Sequence, residues 1–100
     1  MYREERIRSF KELRDRVRAL DEDEGIRIFG RVKGFRNGGF IFLGIYVERY
    51  CVMIRDRVWD PKRGAYSVGP RRKYLYFHSM EELWEFLKGA IERPLKAWLY

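Results

Sequence analysis

The sequence predicts an α+β domain spanning residues 1–100. The expected fold is a four-stranded antiparallel meander with an N-terminal and a C-terminal helix packed on one face (α-β-β-β-β-α). Three observations predict it. Apolar residues recur at helical spacing near both ends of the chain, whereas the middle is a series of strand-like runs separated by turn residues. No helical segment lies between those runs, so their connections must be tight turns rather than parallel crossovers. One hundred residues also suffice for one core built of two layers, with little left for a second lobe.

The first helix is read from Ile7, Phe10, Leu13, Val17 and Leu20, an apolar stripe among arginines and glutamates. It is expected to stop at Asp21-Glu22-Asp23-Glu24, where carboxylates oppose the helix dipole and Gly25 permits an exit turn. That acidic run reads as a solvated turn rather than a metal site, because consecutive carboxylates cannot converge on one ion without further ligands. "IRIFGRVKGF" (26–35) and "FIFLGIYV" (40–47) follow, with Asn37-Gly38 between them as a type I′ hairpin signal. A tight step at 48–49 leads into "YCVMIRDRVW" (50–59), and "DPKRG" (60–64) turns the chain again. The fourth strand is expected to break at Gly69-Pro70 and resume over 72–77. Ser79 and Glu82 form a capping box for the last helix, whose stripe is Met80, Leu83, Trp84 and Leu87. That helix is expected to reach about Lys88, before Gly89 and Pro94 leave room only for a last short turn.

Sorting the strands by parity gives two unlike faces. One is aliphatic: Ile26, Ile28, Gly30 and Val32, then Ile41, Leu43, Ile45 and Val47, then Val52, Ile54, Val58, Leu75 and Phe77. Both helices need such a surface to cover. The other face collects Arg27, Phe29, Arg31, Lys33, Phe35, Phe40, Phe42 and Tyr46 from the first two strands. The last two add Cys51, Met53, Arg55, Arg57, Trp59, Arg72, Tyr74 and Tyr76. With both helices spent on the aliphatic side, this second face is expected to meet solvent as aromatic rings interleaved with guanidinium groups. A patch of that kind marks an interaction surface.

Composition narrows the partner. The chain carries a net charge of +7, with 16 arginines against 6 lysines, which makes an anion the leading candidate. Aromatic faces stack on unpaired bases and arginines neutralise phosphates, so single strands fit better than duplex. Two other readings stay open: the rings could pack across a homo-oligomer interface, or the protein could be a regulator that binds duplex DNA. Arg71, Arg72 and the "DPKRG" turn are expected to border the rings and hold the phosphate backbone. Among catalytic options, Cys51 with His78 lacks a base at nucleophile spacing, and Glu48, Asp56 and Asp60 sit in no nuclease motif. No enzyme, metal or cofactor is therefore expected. The charged N-terminus lacks an apolar signal segment and no run is long enough to span a bilayer, so a cytoplasmic protein without a membrane partner is expected. Glutamine and threonine are absent, and with heavy charge this is a hyperthermophile composition.

Element order permits a comparison with known families. The double-stranded RNA-binding domain has only three strands and a basic second helix, whereas "SMEELWEFLKGA" is acidic; the RNA-recognition motif alternates differently. In its helix, antiparallel sheet and helix, its arginine-rich composition and its rings flanked by basic residues, the chain resembles the ThermoDBP-type single-stranded DNA-binding proteins of hyperthermophilic archaea and their shorter relatives. The resemblance implies sequence-tolerant binding of single-stranded DNA, with RNA as an alternative ligand, in a cleft with an apolar base and basic edges. It implies stacking on Phe29, Phe35, Phe40, Phe42, Trp59, Tyr74 and Tyr76, and phosphate contacts from Arg31, Lys33, Arg36, Arg55 and Arg57. The chain has no long heptad-bearing C-terminal extension, so the coiled-coil dimerisation of larger members does not carry over.

Overall fold

The computed structural model describes residues 4–35 and 38–100. The chain runs through β1 (Glu5–Ile7), α1 (Phe10–Arg18), β2 (Ile26–Gly30), β3 (Gly39–Tyr46), β4 (Arg49–Asp60), β5 (Ala65–Phe77), α2 (Met80–Ala90) and β6 (Ala97–Leu99). All six strands join one antiparallel sheet in the order β1-β6-β2-β3-β4-β5. The expected four-stranded meander flanked by terminal helices is thus corrected: two short strands from the chain's two ends extend the sheet beyond β2. Asn37, which carried half of the hairpin signal, lies outside the described residues, as does Arg36.

The correction has a physical cause at each end. Ile7 stands three residues before Phe10 and fits a helical stripe, yet it is a fully buried strand residue opposite Ala97. The helix begins only after Ser9, whose hydroxyl accepts from the Glu12 N–H at 3.1 Å. At the other end α2 continues through Gly89 to Ala90, capped at its start by Ser79, whose hydroxyl accepts from the Glu82 N–H at 3.2 Å. Beyond the cis Arg93–Pro94 bond the chain returns as β6, inserted between β1 and β2. Strands of three residues are too short to show an alternation that competes with a helical pattern.

The inner face is the aliphatic one. Cross-strand pairs Ile26–Leu43, Ile28–Ile41, Ile41–Ile54 and Leu43–Val52 stack along it, all but fully buried. Leu13 and Val17 of α1 and Leu83 and Leu87 of α2 belong to the same core, so both helices cover this side. Each such side chain contributes roughly 1.5–3 kcal/mol on burial.

Three expected members of the two faces are relocated. Val47 is no strand residue: with Glu48 it forms a two-residue turn at φ 51° and 60°, and it is exposed. Val58 is likewise exposed, because β3 pairs with β4 only as far as Asp56. Phe35 follows the end of β2 at Gly30 and turns into the core, 8% exposed. The break expected at Gly69-Pro70 is a register irregularity within a continuous β5. There the Asp56 carboxylate accepts from the Arg71 N–H at 2.9 Å and occupies the space a side chain at position 69 would need.

Candidate nucleic-acid interface

The outer face of the sheet falls into three zones. At its centre, Phe29 and Phe40 are cross-strand partners with ring centroids 5.0 Å apart at 82°. Trp98 of β6 lies 5.6 Å from Phe29, and Phe42 lies 6.3 Å from Phe40. Cations sit on these rings. The guanidinium carbons of Arg6 and Arg27 are each 4.7 Å from the Trp98 ring centre, and Arg57 and Lys96 approach Phe29 at 5.2 and 5.4 Å.

Several of these cations are already engaged. Arg57 is 3% exposed and donates to the Glu92 carboxylate at 2.6 Å. It also presses against Gly38, whose φ of 79° and lack of a side chain make room for it. Arg55 donates twice to the Gly69 carbonyl, at 2.7 and 3.2 Å, and so pins the irregular part of β5. Arg27 is paired with Glu4 at 2.8 Å. The centre of the face is therefore a self-covered layer. Phe40 is 5% exposed, and the expectation that Phe40 and Arg57 face solvent is corrected, because rings and guanidinium groups bury one another there; that for Phe35 is corrected by its place in the core.

The second zone is a two-stranded ribbon. Residues 57–60 and 65–68 pair with each other beyond the last β3 partner. Trp59 and Tyr66 stand opposite each other, ring centroids 5.2 Å apart, 54% and 43% exposed. The ribbon ends in the turn bearing exposed Lys62 and Arg63.

The third zone, at the opposite end, is a groove of about 540 Å³ lined by Tyr46, Tyr74, Tyr76, Tyr100, Phe42 and Met53, among others. Glu22, Asp23 and Glu24 line it too, and among the described residues no lysine or arginine does. Cys51 sits opposite Tyr76. The thiol's proximity, with lesser effects of burial, of a hydrogen bond to Cys51 and of the Tyr46 and Tyr74 phenols, raises the Tyr76 pKa above its ordinary 10.0.

Between these two ends runs β5, an edge strand with an almost unbroken exposed row that includes Tyr66, Arg71, Arg72, Tyr74 and Tyr76. Arg72 faces Arg55 across the ladder, and Arg71 lies 4.9 Å over Phe35, next to the connection that carries exposed Arg31 and Lys33. Arg31 is 63% exposed despite a 3.5 Å approach to Glu92. Of the residues expected in the site, Tyr46, Trp59, Arg71, Arg72, Tyr74 and Tyr76 are exposed on or beside this row, and Phe29 and Phe42 are half-buried behind it. Tyr66, Trp98, Arg6 and Lys96 were not anticipated. Tyr66 was legible as the ring directly across a turn from Trp59; Trp98 was not, because its strand was unrecognised.

Among the described residues no group of three or more His, Cys, Asp or Glu is placed to hold a metal ion, and no helix is long and apolar enough to cross a membrane. Comparisons with protein-family models, curated proteins and solved structures give no match.

Proposed function

We propose that this protein binds single-stranded nucleic acid, DNA in the first instance, without strong sequence preference and without catalysis. The supporting observation is the exposed row on β5, in which aromatic rings at both ends flank two arginines that no carboxylate pairs among the described residues. In this reading bases stack on Tyr74 and Tyr76 at one end and on Trp59 and Tyr66 at the other, each worth about 1–3 kcal/mol. Arg71, Arg72, Arg31 and Lys33 take the phosphates between them, with Lys62 and Arg63 at the ribbon tip. Pro70 and the neighbouring charges also keep β5 from adding another protein strand, which leaves the edge open to a different ligand.

The test is competition between single-stranded and double-stranded DNA of one sequence. The single strand should win. Its affinity should fall with a log–log salt slope of about −0.7 per phosphate contacted. Oligo-dT should quench Trp59. Equal affinity for duplex, or no binding at low salt, would sink the reading.

A second reading, burial of the ribbon against another copy, is favoured by Val58. It is 46% exposed on the side of the ribbon away from Trp59, where no base would stack. Val58→Lys should then reduce the particle mass in light scattering while leaving DNA affinity in place.

A further inference from the structure

The tyrosine groove has an acidic lining in a basic chain. In a protein with 22 lysines and arginines and a net charge of +7, the groove has among the described residues no basic lining residue and three consecutive acidic ones. Exposed cations of the same face stand outside that lining: Arg72 is two residues from Tyr74 and four from Tyr76 on the same side of β5, and Arg49 is the cross-strand partner of Tyr46 at the far rim. A phosphodiester chain following β5 from Arg72 towards Tyr76 therefore leaves a positive field and enters a negative one. The rings still offer stacking surface there, since Tyr74, Tyr76 and Tyr46 are 46%, 49% and 65% exposed. What suits such a place is a base with its sugar and without a further phosphate.

On the reading that the face binds single strands, we propose that the groove receives the unphosphorylated terminal nucleoside of the strand, which makes the protein a binder of single-strand ends. The terminal base stacks among Tyr46, Tyr74 and Tyr76. Carboxylates of the Glu22–Glu24 segment accept hydrogen bonds from the terminal hydroxyl and from exocyclic amino groups, groups that donate where a phosphate cannot. Arg72 and Arg71 hold the last phosphodiesters. Charge complementarity thus selects the occupant: a terminal phosphate brings up to two further negative charges into the acidic segment, whereas a terminal hydroxyl brings none.

The experiment compares one short oligonucleotide in four forms: hydroxyl at both ends, phosphate at the 5′ end only, phosphate at the 3′ end only, and covalently closed into a circle. At low salt the hydroxyl-ended strand should bind about fivefold or more tighter than the strand phosphorylated at the end the groove receives, and tighter than the circle. Discrimination at one end gives the strand's polarity on β5. The triple variant Glu22→Gln/Asp23→Asn/Glu24→Gln leaves the core untouched, and circular dichroism will report its folding, since Glu24 also accepts from the Asp21 N–H at 2.9 Å. It should lose the discrimination, so that hydroxyl-ended and phosphate-ended strands bind alike. Equal affinity for all four forms, or discrimination that survives the triple variant, overturns the end-binding proposal and leaves strand binding intact. Failure of every form to bind overturns the parent reading and this proposal together.

Discussion

The two faces of β3 present the same degree of apolarity and opposite fates. Ile41 and Leu43 point to the helices and are sealed; Phe40 and Phe42 point the other way and have only their own neighbours for cover. The difference teaches that an apolar face becomes core only when a second layer arrives. On the outer side the second layer is made of guanidinium groups; it covers the middle and reaches the ribbon where Arg57 stands 4.9 Å from the Tyr66 ring centre. Arg57 and Lys96 lie over Phe29, and Arg6 and Arg27 over Trp98, while Trp59, Tyr66, Tyr74 and Tyr76 at the two ends remain 43–54% exposed.

The largest effect expected from breaking this contrast is on the sealed side. Ile41→Ala should cost about 2–5 kcal/mol in denaturant unfolding, since the residue is fully buried between β2 and β4. A loss below 1 kcal/mol would mean that the helices do not cover the face. Arg57→Ala comes next and is the sharper test, because Arg57 is on the outer side and yet behaves as core. Removing it leaves Glu92, among the described residues, with the 3.5 Å approach of Arg31, and should cost about 3 kcal/mol of stability. Were Arg57 merely a phosphate ligand, affinity would drop with stability unchanged.

Tyr74→Ala should do the reverse of Arg57→Ala. The ring is 46% exposed, so stability should change by less than about 1 kcal/mol, whereas affinity for single strands should fall by about 1–3 kcal/mol. Fluorescence titration and unfolding on the same variant separate the two. A stability loss as large as that for Ile41 would erase the distinction between the faces.

Much of this contrast could be read from parity alone. The alternation of Ile41, Leu43 and Ile45 with Phe40 and Phe42 assigns the faces, because a strand's side chains must alternate. Parity failed wherever a strand ended or slipped. Phe35 kept the phase of Phe29 in the sequence, but β2 stops at Gly30 and the phase means nothing past that point. Burial of Arg57 was illegible for another reason: its partner Glu92 is 35 residues away, on a segment read as a break and a last short turn after the helix. Trp98 escaped notice because strands of three residues are recognised by their partners, which only the folded chain supplies.

A smaller effect concerns the turn that joins β3 to β4. Val47 and Glu48 hold φ of 51° and 60°, a backbone region that a β-branched side chain enters at a cost. Val47→Asn with Glu48→Gly supplies the residues this turn geometry favours and should raise stability by about 1 kcal/mol. Because both residues lie beyond the paired part of the sheet, neither core nor groove should change. A destabilised double variant would show that Val47 contributes packing that outweighs its backbone strain.

The smallest effect lies in the groove, where Tyr76 titrates above its ordinary value because of Cys51 first and of burial and its tyrosine neighbours after that. A phenol whose folded pKa is raised prefers its protonated form in the folded chain. Its contribution to stability is therefore present in full below the unfolded value of 10.0 and is lost as pH climbs through the raised one. Cys51→Ala removes the principal cause. It should bring the Tyr76 phenolate transition, isolated by difference from Tyr76→Phe, back towards the ordinary value, and it should soften the alkaline fall in stability. The inner face, where Ile41 and Leu43 have nothing to titrate, should be silent to the same change in pH. If Cys51→Ala leaves the phenolate transition where it was, the thiol is not the group that acts on Tyr76, and the electrostatic account of the groove must rest on its carboxylates alone.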